Sequence, residues 1–119
     1  MLIFALALPA PAAFTEIHQR DIACVVEIAV LADEQKRGVV GGPDVQASGK
    51  RWAGLVGARI VEETGQPREV VAFAMGEAAK ARAARANPDD IPSCINRMTA
   101  ELAAANAVDA PLPKPVKAQ

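Results

Sequence analysis

This sequence predicts an all-α fold: a four-helix bundle, orthogonal or up-down, with one disulfide joining the first helix to the fourth. Three observations carry the expectation. Alanine supplies 26 of the 119 residues, against three Phe, one Trp and no Tyr, so helix propensity is high and β propensity poor. Glycine and proline divide the chain into four stretches whose apolar residues recur at helical spacing. The only cysteines, Cys24 and Cys94, fall in the first and last of these stretches. The length suits one domain around one core.

The first helix is expected from about Thr15 to Arg37. Nearly everything from Ile22 to Ala32 is apolar, which describes a helix contacted by neighbours on most sides. Glu16, Arg20, Glu27 and Glu34 share one stripe at 100° per residue, and that stripe is expected to face solvent. Gly38 to Pro43 (GVVGGP) ends this helix and leads to a second, from about Asp44 to Thr64. Val45, Gly49, Trp52, Val56 and Ile60 lie on one face of the second helix. Gly49, Gly54 and Gly57 each weaken an isolated helix by up to ~1 kcal/mol, so a close approach to a neighbouring helix is expected there. Lys50 and Arg51 lie near the positive end of this helix's dipole, and pairing with Asp33 and Glu34 across an antiparallel hairpin would offset the clash.

Gly65-Gln66-Pro67 separates the second helix from a third, about Pro67 to Ala86, with Val70, Val71, Ala74, Met75, Ala78 and Ala81 toward one side. Its second half, EAAKARAARA, has high propensity but no large apolar side chain. Lys80, Arg82 and Arg85 are read as favourable charge near a helix C-terminus, helped by Asp89 and Asp90. Asn87-Pro88 begins the break before the fourth helix, about Ile91 to Ala107. There Ile91, Cys94, Ile95, Met98, Leu102 and Ala105 recur every three or four residues, which turns Cys94 toward the core.

Residues 1–13 (MLIFALALPAPAA) carry no charge, and a short apolar run gives way to small residues and prolines. The segment resembles an abbreviated secretory signal peptide, with Ala10-Pro11-Ala12 or Pro11-Ala12-Ala13 as cleavage-like triplets; an apolar arm packed on the domain is the alternative. It is too short and too rich in proline to span a bilayer. The expected organisation is a leader over residues 1–13, a helical domain over 14–108 and a Pro-rich mobile tail over 109–119. Export to the periplasm or beyond would place Cys24 and Cys94 in an oxidising compartment, where a two-cysteine protein tends to carry one bridge. No Cys-x-x-Cys pair or neighbouring His supports a redox thiol, and Cys-x-x-Cys-His haem attachment is absent.

Thirteen basic residues oppose fourteen acidic ones, and few aromatics are available for stacking, which argues against a nucleic-acid partner. His18 is the only histidine, and Asp21 lies one turn away. That pair would make a general base and its orienter. The hydroxyls (Thr15, Ser48, Thr64, Ser93, Thr99) include none in a recognisable nucleophile elbow, so a structural, carboxylate-bonded histidine is the expectation. One histidine also makes no metal site, and no cofactor is implied. The stretch GGPDVQASGK misses phosphate-loop spacing and has Arg51 where a Ser or Thr is required. Arg59 lies two turns beyond Trp52 and four residues before Glu63. It is expected to stack beside Trp52 while paired to Glu63; gripping a carboxylate ligand is the other reading.

The segments DIACVV around Cys24, RWAGLVGARIVEETGQ from Arg51 to Gln66, CINRM from Cys94 to Met98 and the ending PLPKP complete the picture. Together they resemble uncharacterised small exported two-cysteine helical proteins of Gram-negative bacteria, over most of residues 20–115. The resemblance implies export, an all-helical fold and paired cysteines, and no activity. The functional expectation is a non-enzymatic exported binding or structural domain, such as a periplasmic accessory protein, whose partner is a protein or small ligand and which can self-associate. The alternatives are a small periplasmic chaperone, by analogy with acid-stress periplasmic chaperones, or an apolar-ligand carrier with an internal cavity near the alanine-rich half of the third helix. An enzyme using His18 and Asp21 ranks below these.

Overall fold

Thr15 starts the first helix with a reciprocal cap: its Oγ1 accepts the His18 backbone N–H at 3.2 Å, and the His18 Nδ1 accepts the Thr15 N–H at 3.1 Å. This is a capping box with histidine in the place usually held by Glu or Gln. The computed structural model describes residues 13–83 and 91–109. Residues 1–12 of the expected leader, the expected tail from residue 110, and Arg85, Asp89 and Asp90 lie outside the described residues. Among the described residues there are four helices and no strand: α1 (Glu16–Lys36), α2 (Gln46–Thr64), α3 (Arg68–Ala83) and α4 (Ile91–Asp109).

The turn between α1 and α2 is organised by one side chain. Gln35 Nε2 donates to the Pro43 carbonyl at 2.7 Å, and its Oε1 accepts the Val45 N–H at 3.0 Å. Gly38 and Gly42 adopt positive φ in this turn, and Gly65 caps α2 in the left-handed region, donating to the Val61 carbonyl at 2.9 Å. Glycine therefore closes α1 and α2 where the sequence places it.

α1 and α2 run antiparallel, since His18 meets Glu63, Asp21 meets Arg59 and Ile28 abuts Gly49. They form the central pair, and α3 and α4 each pack on both. Trp52, Ile28, Val56 and Ile60 are fully enclosed, joined by Val45, Val71, Cys94 and Met98. Burying each large apolar side chain contributes roughly 1.5–3 kcal/mol, so most of the stability resides in this seam. Cys24 and Cys94 are bonded, with their Cα atoms 5.1 Å apart, and tie α1 to the start of α4. From there α4 passes onto α2, where Glu101 reaches Arg59 and Asn106 reaches Arg51.

Several sequence expectations change in the folded chain. Lys50 and Arg51 do not meet Asp33 and Glu34: Arg51 donates to Asn106, and Asp33 pairs with Arg37 at 2.9 Å, one turn away on its own helix. Val70 and Ala81 are exposed, because only Val71, Ala74, Met75 and Ala78 turn toward α1 and α2. Of the three glycines of α2, only Gly49 serves a close approach.

A Cβ on Gly49 would stand 2.9 Å from Ile28 Cγ2, whereas one on Gly54 would meet nothing within 4 Å. Ile28 is enclosed and branched at Cβ, so it cannot yield cheaply. The two alanine substitutions are thus expected to have opposite signs. Gly54→Ala should stabilise by about 0.5–1 kcal/mol through helix propensity. Gly49→Ala should destabilise by about 1 kcal/mol, the steric cost exceeding that same gain. Thermal melts of the two variants against the parent measure the difference.

Candidate functional site: a buried polar cluster

α1 carries Asp21 inward beside Ile22, and the carboxylate is 1 % exposed. A buried carboxylate is tolerated only when its lone pairs are matched. Here each oxygen has its own arginine. Oδ2 accepts from Arg59 Nη2 on α2 at 2.9 Å, and Oδ1 accepts from Arg97 Nη2 on α4. Arg59 Nη1 then donates to Glu101 Oε1 at 2.6 Å. The four groups alternate in sign, two cations with two anions, and link three helices through one carboxylate.

Burial of the Arg59 guanidinium acts to lower its pKa. The hydrogen bond and charge of Glu101, followed by the charge and hydrogen bond of Asp21, outweigh this and hold it above the ordinary arginine value. The stabilisation that accompanies a raised pKa is fully present below the unfolded value and fades only as pH climbs through the folded one. For Arg59 that window lies beyond the arginine range, so its pairing is insensitive to pH around neutrality.

His18 lies one turn before Asp21 but is not oriented by it. Because Nδ1 accepts the Thr15 N–H, the ring proton resides on Nε2, which donates to Glu63 Oε1 at 2.9 Å. The ring is buried, with Phe14 edge-on at a centroid distance of 6.3 Å. The histidine is buried and bonded to a carboxylate, and that carboxylate is Glu63, on α2. The expected Arg59–Glu63 pair is therefore absent, and Arg59 turns from Trp52 toward Asp21 and Glu101. Trp52 is wholly enclosed, and its Nε1 has no partner.

Glu27 corrects the sequence reading most plainly. Its angle on the helix assigns it to solvent, yet it is only 7 % exposed, because α3 covers that side of α1 and Arg82 bonds it at 3.1 Å. Its other oxygen, Oε2, is buried without a partner. Arg82 thus pairs across helices, while Lys80 of the same basic group meets Glu77 at 3.3 Å.

Both Nη atoms of Arg59 are engaged by the protein's own carboxylates, and Thr15 and Thr64 hydroxyls are spent on backbone partners. Among the described residues no group of three His, Cys, Asp or Glu side chains could hold a metal ion. No described helix is long and apolar enough to cross a membrane. Two apolar grooves flank α3 instead: one of about 540 Å³ against α2 and one of about 420 Å³ against α1. Both open at the surface, and Ala79 places the second beside the alanine-rich half of α3.

Sequence reasoning missed Arg97, Glu101 and the Glu27–Arg82 pair. Arg97 and Glu101 stand four residues apart beside the Cys94–Met98–Leu102 stripe, and that spacing was the available signal. Comparison with known protein families, curated proteins and solved structures gives no match to this chain.

Proposed function

We propose that this chain is a non-enzymatic exported helical domain with a binding or structural role, a periplasmic accessory protein of a Gram-negative cell. One observation carries the non-catalytic part. The single accepting nitrogen of His18 is spent on the N-cap of α1, and its N–H is spent on Glu63. Acting as a general base would require the ring to give up the cap that starts its own helix. Asp21, the other candidate, is held between two guanidinium groups and is only 1 % exposed.

The exported part is supported by the bond between the only two cysteines, since structural disulfides belong to oxidising compartments. The leader-like composition of residues 1–13 points the same way. In this reading the ion-pair cluster and the bridge fix the relative positions of α1, α2 and α4, and recognition falls to the surface of α3.

The mass of the protein recovered from the periplasmic fraction of its native host, with and without thiol alkylation, tests this reading. Loss of a segment ending near Ala12 or Ala13 and no alkylation without reductant are expected. A full-length cytosolic protein taking up two alkyl groups would overturn it.

A further inference from the structure

The groove between α2 and α3 differs from its neighbour in the sign of its one charged residue. Its wall is almost entirely small or apolar: Gly54, Gly57 and Ala58 on one side, Val71, Ala72 and Met75 on the other. The only charged residue lining it is Arg68, the first residue of α3. Among the described residues Arg68 forms no ion pair and is exposed. The carboxylates of Glu62 and Glu69 are near in sequence but do not line the groove. The groove between α1 and α3 carries Asp33 instead, which already pairs with Arg37 and would repel an anion.

We propose that the α2–α3 groove binds a free medium-chain carboxylate, its tail along Gly54, Gly57 and Ala72 and its head on Arg68. The proposal rests on the reading of the chain as a binding domain and names its ligand class. The volume of about 540 Å³ falls in the range of small-molecule sites, which are mostly apolar with a few placed polar groups. A cation at one end of an otherwise uncharged wall selects an amphiphile with a single anionic end. Length sets the chain class: α2 from Ala53 to Val61 runs for ~12 Å, too short for the tails of a membrane lipid. Met75 forms the adaptable part of the wall, its Cε 3.8 Å from where a Gly57 Cβ would stand.

The test is titration of decanoate, below its micellar range, into the isotope-labelled, oxidised full chain, following backbone amide shifts. Saturable shifts at Gly54, Gly57, Arg68 and Ala72 are expected. Decanol and decylamine should bind about tenfold more weakly, because neither presents a carboxylate to the Arg68 guanidinium. Arg68→Gln should weaken decanoate about tenfold and leave decanol unchanged. Gly54→Leu fills the groove from a position where a Cβ has open space and gains helix propensity, so it should abolish binding while raising the melting temperature. Non-saturable shifts, equal affinity for decylamine, or undiminished binding to Gly54→Leu would overturn the proposal. Shifts at the same amides on raising protein concentration alone would make a second copy the occupant, which also overturns it. Failure of the export reading would appear in the mature mass and leave these titrations untouched.

Discussion

Asp21→Ala is expected to lower the unfolding free energy by about 3 kcal/mol, the low end for removing one partner of a buried ion pair. The carboxylate is 1 % exposed, and its removal leaves the Arg59 and Arg97 guanidinium groups facing each other across the α1–α2–α4 junction. Both arginine side chains retain some exposure, 34 % and 24 %, so they can turn partly toward water, which limits the loss. Asp21→Asn keeps the shape and accepting oxygen but not the charge, and should cost less. Glu101→Gln, on the wetter end of the cluster, should cost under about 1 kcal/mol. Urea unfolding followed through the fluorescence of Trp52, the only tryptophan, gives all three values on one scale. A ranking in which Glu101→Gln exceeds Asp21→Ala would show that Asp21 is not the hub.

Opening the Cys24–Cys94 bridge is the larger perturbation. It closes a separation of 70 residues, and a crosslink over such a loop stabilises by about 4 kcal/mol through unfolded-chain entropy. Against a small domain's net stability of roughly 5–15 kcal/mol, one bond would then contribute a substantial share. The Cys24→Ala/Cys94→Ala double variant is expected to lose that amount, with unchanged far-UV circular dichroism in the fraction that remains folded. Because Arg97 binds Asp21 one turn from Cys94, the bridge and the ion pair hold the same junction. Their losses should exceed additivity when Asp21→Ala is combined with the cysteine variant.

The helices and the disulfide were legible in the sequence because both depend on local signals. Gly65 caps α2 in the left-handed region that glycine tolerates, and Cys94 sits in the apolar stripe with Met98 and Leu102. The partners of the charged residues were far less legible. Arg59 has Glu63 four residues on, an arrangement that local rules favour, yet it chooses Asp21 and Glu101 on two other helices. Helix crossing decides that choice, and no single-helix pattern contains it. Glu27 makes the same point from the other side. Its angle on α1 matches a solvated stripe, but α3 lies over it and delivers Arg82. The His18 cap was equally hidden, since histidine is an uncommon third residue for a capping box and reads as chemistry before it reads as architecture.

The Cys24–Cys94 bond also makes a covalent ring of the chain, with all of α2 and α3 inside it. The exposed glycine-rich turn from Gly38 to Gly42 belongs to that ring. A backbone break there opens the ring without releasing a fragment: the piece bearing α1 stays tethered through sulfur to the piece bearing α4. Scission at this exposed turn therefore leaves the oxidised molecule in one part, and both a nick and a reductant are needed before it comes apart.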